Sequence, residues 1–155
     1  MQVNYFTYVS LLMSLMLLFV AQAQAEQFKQ VGNYAIHYNA FNSKMIPPEV
    51  AKAYKVQRSG NNAILTVAVR KKAEDGDVAV PAKVTVKAAN LVGHEKKIVM
   101  NRIDEPSTET VGSAIYYIGQ FNIDNGEHIR FELSVDPEEK GEVTKIKLEQ
   151  KFFTE

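Results

Sequence analysis

The chain has 155 residues, with 18 Lys and Arg against 18 Asp and Glu, three His, no Cys and no Trp. This balance excludes the clustered excess of Lys and Arg that binders of nucleic acid or anionic membranes need. Without cysteine there is no disulfide, no thiol nucleophile and no Cys-ligated metal centre. The composition therefore predicts no nucleic-acid partner and a fold that depends on hydrophobic packing.

Residues 1–25 predict a secretory signal peptide. They contain no charged side chain, and the apolar run Leu11–Val20 is followed by Ala-Gln-Ala-Gln-Ala over residues 21–25. About ten apolar residues are too few to span a bilayer, which needs ~20 in a helix, and alternating small residues suit signal peptidase. We expect cleavage after Ala25 or Ala23, with an uncleaved anchor as the alternative. An exported domain over residues 26–155, without stable membrane insertion after cleavage, would remain.

Alternation of apolar and polar residues dominates the remaining chain and predicts β-strands. Three segments alternate most clearly and predict strands of a sheet with a solvated face: 80–89, 128–135 and 145–152. Four further segments complete about seven strands: 34–38, 64–70, 98–103 and 115–121. The segment 64–70 is apolar on both sides and is expected to be central. Gly119 is expected to mark a bulge or a close backbone approach.

The connections predict an antiparallel fold with almost no helix. One short helical turn is expected near residues 48–54, where proline suits the first turn and Glu49 the positive helix end. Asn125-Gly126 between two alternating segments is the signature of a two-residue hairpin. We therefore predict an all-β fold, a single antiparallel β-sandwich of immunoglobulin-like type, with a closed small barrel as the alternative.

Residues with catalytic or metal-binding chemistry are sparse. His37, His94 and His128 have no spacing typical of a metal site, and no G-x-S-x-G or H-E-x-x-H motif occurs. The adjacent acids Glu138 and Glu139 lie in a predicted turn. The sequence therefore predicts a non-enzymatic protein with no cofactor, no metal ligands and no catalytic residues.

The segment around the first predicted strand carries the candidate patch for a partner or ligand, formed by Tyr34, His37, Tyr38, Asn39 and Phe41. Tyr34 and Tyr38 share one strand face, whereas His37 and Asn39 lie on the other. Polar aromatic side chains combine a large contact area with a hydrogen-bonding tip, which suits binding. Because aromatic residues are common in strands, the favoured interpretation of these residues is an end cap of the sandwich whose hydroxyls are bonded within the protein.

These residues begin a series of motifs by which the chain resembles domain of unknown function 4426 (DUF4426), a family of small exported proteins of Gram-negative bacteria. The series comprises Gly32-x-Tyr34, His37–Phe41, Pro48–Ala51, Tyr54, Arg58-Ser59, Asn90-Leu91, Arg102-Ile103, Ile115–Gly119 and Phe152-Phe153. The resemblance implies export to the periplasm and a β-rich fold. The family has no established activity, so it supplies no catalytic residues.

We therefore expect an exported periplasmic protein that binds another envelope protein or assists envelope assembly, because sandwiches offer strand edges for pairing. The first alternative is a small-ligand or metal-binding module that uses the segment Tyr34–Phe41. The second alternative is a hydrolase that acts on an envelope polymer through dispersed carboxylates.

Overall fold

A computed structural model describes residues 27–107 and 112–154, so the predicted signal peptide over residues 1–25 lies outside the described residues. Ten strands occur in this part of the chain: β1 (Gln27–Val31), β2 (Tyr34–Asn42), β3 (Asn62–Ala73), β4 (Gly76–Ala79), β5 (Ala82–Asn90), β6 (Glu95–Lys96), β7 (Asn101–Glu105), β8 (Ala114–Asn122), β9 (His128–Pro137) and β10 (Thr144–Lys151). The fold is all-β, as predicted, but the count of about seven strands is too low. The additional strands β1, β4 and β6 are short, and short polar segments carry too little alternation to be recognised.

The strands form two antiparallel sheets. A six-stranded sheet has the order β1-β2-β3-β8-β7, with β4 paired to β3, and a four-stranded sheet has the order β10-β9-β5-β6. Strand β3 lies between β2 and β8, the central position that its apolar residues predicted. The three most clearly alternating segments are the neighbours β5, β9 and β10, so Lys87, Glu132 and Lys147 lie side by side.

One hydrophobic core lies between the sheets. It combines buried residues of β2, β3 and β8 with buried residues of β5, β9 and β10. Within it, Phe121, Phe131 and Phe152 pack edge to face, with ring centroids 5.5, 5.6 and 6.4 Å apart. Each such pair stabilises the fold by about 0.5–1.5 kcal/mol beyond the area it buries. Aromatic packing therefore links strands of both sheets in a chain without cysteine.

The predicted helical turn is present as α1 (Pro48–Ala53), which follows a 3-10 turn over Ser43–Met45. Ala51 of α1 packs against Ile64, on the face of β3 opposite the main core. Within residues 27–107 and 112–154, no helix is long and apolar enough to cross a membrane.

The Asn125-Gly126 turn does not form the predicted hairpin. Strand β8 pairs with β3 and β7, while β9 pairs with β5 and β10, so the turn carries the chain from one sheet to the other. Gly126 has a φ of 72°, but Asn125 does not have a positive φ. A type I′ hairpin turn requires positive φ at both positions. The sequence therefore predicted the turn correctly and its strand pairing wrongly.

The predicted strand over 98–103 begins later, at Asn101 of β7, because the preceding residues cross over β8. A Cβ atom at Gly119 would overlap Ile98 Cγ2 and would lie 2.8 Å from Met100 Sδ. The close approach expected at Gly119 is therefore present, and it explains why this position has no side chain.

Candidate functional site

The structure distributes the five residues of the predicted patch over two faces of β2. Tyr34 and Tyr38 pack against the core between the sheets. Phe41 packs on the opposite face, within the second hydrophobic cluster beside α1. The alternation of side chains along a strand imposes this split, so these three aromatic rings do not share one surface.

The other two patch residues lie on the same face as Phe41. His37 stacks on Phe28 of β1, with ring centroids 5.7 Å apart and 28° between the ring planes. Phe28 is 59% exposed, so the stack lies at the protein surface. The Asn39 carbonyl accepts a hydrogen bond of 3.3 Å from Thr66 Oγ1.

Tyr34 belongs to a polar cluster with Lys71, Glu138 and Lys140, which we call the Tyr34 cluster. The Tyr34 hydroxyl donates a hydrogen bond to Glu138 Oε2. The ammonium groups of Lys71 and Lys140 lie 2.9 and 2.8 Å from the same oxygen. They also lie 5.6 and 6.0 Å from the centroid of the Tyr34 ring, within reach of a cation–π interaction. Three donors therefore converge on one carboxylate oxygen.

Three separate parts of the chain build the Tyr34 cluster. Tyr34 begins β2, and Lys71 is its direct partner on β3. Glu138 and Lys140 lie in the loop between β9 and β10. Glu138 and Glu139 both have a φ of 54°, a left-handed conformation that costs a non-glycine residue about 1–3 kcal/mol. The hydrogen bonds and ion pairs of the Glu138 carboxylate offset part of this strain.

The donors of the Tyr34 cluster keep Glu138 ionised. Hydrogen bonds from Lys140, Tyr34 and Lys71 lower the pKa of Glu138 to about 2. The same contact with Glu138 raises the pKa of Lys140. A catalytic general acid needs a raised pKa, so the lowered pKa of Glu138 does not favour it for that role.

A groove of about 730 Å³ opens beside the Tyr34 cluster. Its walls are the β1–β2 turn and the β9–β10 loop, and its charged lining consists of Lys71, Lys140 and Glu142. The volume falls in the range of about 300–1,000 Å³ that is typical of small-ligand sites. Two ammonium groups and one hydroxyl at such a groove are suited to bind an anion.

A second polar cluster is centred on Glu127, and no sequence motif predicted it. Its carboxylate lies 2.7 Å from Lys96 Nζ and accepts hydrogen bonds from Asn90 Nδ2 and the Asp124 amide, at 3.1 and 2.9 Å. Burial opposes ionisation of Glu127, but the hydrogen bonds outweigh it and lower the pKa of this carboxyl. Because Lys96 and Asn90 are 31 and 37 residues away in the sequence, no local motif marks the cluster.

The three histidines lie on different elements. His37 is on the six-stranded sheet, His94 is in the β5–β6 turn, and His128 begins β9 in the four-stranded sheet. His128 Nε2 lies 3.7 Å from a carboxylate oxygen of Glu149. In the described part of the chain, no group of three or more His, Asp and Glu side chains is arranged to hold a metal ion.

Strand β10 ends the four-stranded sheet, and among the described residues its strand partner is β9 alone. The Phe152 amide donates to the Glu127 carbonyl on the β9 side at 2.8 Å, whereas Lys29 Nζ donates to the Lys145 carbonyl at 3.0 Å. Backbone groups of successive strand residues point to opposite sides. The outer edge of β10 therefore carries the backbone groups of alternate residues: Lys145, Lys147, Glu149 and Lys151. Lys29 Nζ already binds the Lys145 carbonyl and Gln150 Nε2 binds the Lys151 carbonyl, so Lys147 and Glu149 form the free part of this edge.

The fold and these sites define an all-β protein of two antiparallel sheets, with a cluster of two lysines, a tyrosine and a glutamate at a groove and an outer strand edge at β10. The chain belongs to the family described as domain of unknown function DUF4426, whose model matches residues 28–155. The resemblance inferred from the sequence motifs is thereby confirmed.

Among solved structures, the chain is similar to a DUF4426 family protein from Pseudomonas aeruginosa PAO1. The two share 30% sequence identity with a TM-score of 0.67, over 84% of this chain and 97% of that chain. A comparison with curated proteins gives no match.

Proposed function

We propose that this protein is a non-enzymatic protein-binding factor of the cell envelope that is exported to the periplasm. The observation that carries the proposal is the free edge of β10. A sheet edge with unpaired N–H and C=O groups is a template for another strand, and strand addition is a recurring mode of peptide recognition. The apolar leader over residues 1–25 supports export.

The side chains beside the free edge indicate the chemistry of the partner. Three of the four outer-edge residues are lysines, Lys145, Lys147 and Lys151, and all three are exposed. Lysine on an edge strand opposes pairing with a second copy of the same strand. It favours an acidic strand, because opposite charges across an interface select the partner. The partner is therefore an envelope protein with an extended acidic segment.

The carboxylates support a non-enzymatic role. Glu127 and Glu138 have lowered pKa values and are engaged by Lys and amide or hydroxyl donors. The small-ligand alternative has one specific observation in its favour, the groove of about 730 Å³ at the Tyr34 cluster. In that alternative, an anionic small molecule would bind at Lys71 and Lys140.

The strand order supports an immunoglobulin-like arrangement, which we propose for the whole fold. The order β2-β3-β8-β7 corresponds to strands A-B-E-D of that fold. The order β10-β9-β5 corresponds to strands G-F-C, with β6 as a short additional strand. In this arrangement β10 is the terminal G strand, whose outer edge is available for pairing.

Photo-crosslinking in the periplasm of the producing bacterium tests the proposal. A crosslinker at position 147 on β10 is compared with one at position 52, an exposed site on α1. We expect position 147 to capture the same envelope protein repeatedly and position 52 to capture none of it. Failure to capture a specific protein from position 147 would contradict the proposal.

Two substitutions at Lys147 separate strand addition from a charge effect, each with a crosslinker at position 149. Lys147→Pro removes an N–H that faces the free edge and leaves the β9 hydrogen bonds intact. Lys147→Ala removes the charge and keeps the N–H. We expect the proline variant to abolish capture and the alanine variant to reduce it, with unchanged thermal unfolding in both. Equal capture by the proline variant and the unsubstituted protein would exclude strand addition.

A further inference from the structure

The donors of the Tyr34 cluster exceed what Glu138 uses. Each lysine ammonium has three N–H donors and the Tyr34 hydroxyl has one, whereas a carboxylate oxygen accepts about two hydrogen bonds. All three side chains nevertheless converge on Glu138 Oε2. The donor set of Tyr34, Lys71 and Lys140 therefore suits a carboxylate that presents both of its oxygens, whereas these three hydrogen bonds use one oxygen of Glu138.

Glu138 is placed so that it can leave the donors. Its side chain is 26% exposed, and it lies in the loop between β9 and β10 rather than within a strand. Rotation of the side chain would free both lysines without moving a strand. An incoming carboxylate would replace the Glu138 charge one for one, and Glu142 at the groove would still balance part of the lysine charge.

The direction of β10 relates this site to the proposed strand addition. Thr144, the first residue of β10, lines the groove beside Lys71 and Lys140. A strand that pairs antiparallel to β10 runs from Lys151 towards Thr144. Its C-terminal end is therefore directed towards the groove, where a carboxylate at that end would approach the two lysines.

We propose that Tyr34, Lys71 and Lys140 form a carboxylate-binding site, which the chain's own Glu138 occupies in the free protein. In the complex, a carboxylate at the C-terminal end of the added strand displaces Glu138. This inference rests on the proposed strand addition at β10 and assigns the ligand class of the adjoining groove. Glu138 thus competes with the partner and restricts binding to acidic chain ends.

Titration with a defined peptide tests the site. The probe is acetylated Val-Thr-Val-Thr-Glu with a free C-terminal carboxylate, and its affinity is measured by calorimetry for the full mature chain. We expect Glu138→Gln to bind at least tenfold more tightly than the unsubstituted protein. Glu139→Gln, which makes the same charge change on the neighbouring residue, should leave the affinity within twofold. Equal affinities for Glu138→Gln and the unsubstituted protein would overturn the proposal.

Variants of the donors locate the binding. In the Glu138→Gln background, Lys71→Ala should weaken peptide binding at least tenfold, while Lys72→Ala on the same strand should not. Tyr34→Phe, which keeps the ring and removes one donor, provides a milder variant if Lys71→Ala unfolds, and it should weaken binding severalfold. Unchanged affinity in Lys71→Ala, or in Tyr34→Phe where Lys71→Ala does not fold, would exclude this location.

Two further probes define the ligand. The C-terminally amidated peptide should lose affinity if the terminal carboxylate binds and keep it if the glutamate side chain binds, and either result supports a carboxylate site. Inorganic phosphate that binds as tightly as the peptide would contradict it. If a crosslinker at position 147 still captures the partner but Glu138→Gln does not change the peptide affinity, the carboxylate site is rejected and strand addition is retained. If position 147 captures no partner and Glu138→Gln does not change the peptide affinity, strand addition and the carboxylate site are both rejected.

Discussion

The Tyr117 hydroxyl accepts a hydrogen bond of 2.8 Å from the backbone amide of Ala82, and this bond joins the two sheets. Tyr117 is a buried residue of β8 in the six-stranded sheet, and Ala82 begins β5 in the four-stranded sheet. A buried amide needs a hydrogen-bond partner. The Tyr117 hydroxyl is this partner, at the point where the chain passes from β4 in one sheet to β5 in the other.

Replacement of Tyr117 by Phe should therefore destabilise the protein. The substitution keeps the ring and leaves the Ala82 amide buried without its acceptor, which costs about 1–3 kcal/mol. Tyr116→Phe is the matched control, because Tyr116 lies on the opposite strand face and is 36% exposed. Urea unfolding should show a lower midpoint for Tyr117→Phe alone. Equal effects of the two substitutions would contradict the role of this bond.

Gly119→Ala should lower the free energy of unfolding by about 1–3 kcal/mol, because the added methyl group overpacks the contact with Ile98 and Met100. Ile98→Ala in the same chain should relieve part of this penalty, which a double-mutant cycle measures as a coupling energy. Gly112→Ala is the control, since no atom of the described residues other than its chain neighbours lies within 4 Å of its added Cβ. Absence of coupling between positions 98 and 119 would show that the methyl group is accommodated elsewhere.

Glu127→Ala should destabilise the protein by about 2–4 kcal/mol, because it leaves the Lys96 ammonium partly buried without its carboxylate. It also removes the acceptor of the Asp124 amide in the turn between the sheets. Glu95→Ala provides the control, as Glu95 is an exposed neighbour on β6. Thermal unfolding that is equally affected by both substitutions would argue against the Glu127 cluster as a structural link.

The stability contributed by Glu138 should depend on pH in the acid range. Its pKa is lowered from 4.5 to about 2 by the Tyr34 cluster, so the folded state prefers the ionised carboxylate. The contribution is present above pH 4.5 and is lost as the pH falls from 4.5 towards 2. Unfolding free energies measured over this range should therefore converge for the unsubstituted protein and Glu138→Gln. A difference that stays constant with pH would contradict the ionised contact.

The amino-acid sequence by itself determined where the main strands run and which side of each is buried. Alternation depends only on neighbouring residues, because successive side chains of a strand point to opposite faces. The segments that became β5, β9 and β10 could be recognised for this reason. Local chemistry likewise predicted the turn at Asn125-Gly126, α1 and the close approach at Gly119.

Only the tertiary structure decided which strands pair and which polar side chains meet. Asn125-Gly126 is compatible with a hairpin and with a crossover between sheets, and the partners available to β8 and β9 decide between them. Tyr34 and Glu138 are 104 residues apart, and nothing near either residue indicates the other. Such contacts form only after strands that are distant in the sequence have paired. The alternation that predicts a strand, in contrast, can be read from neighbouring residues. The elements of this protein were therefore predictable from its sequence, and the Tyr34 cluster was not.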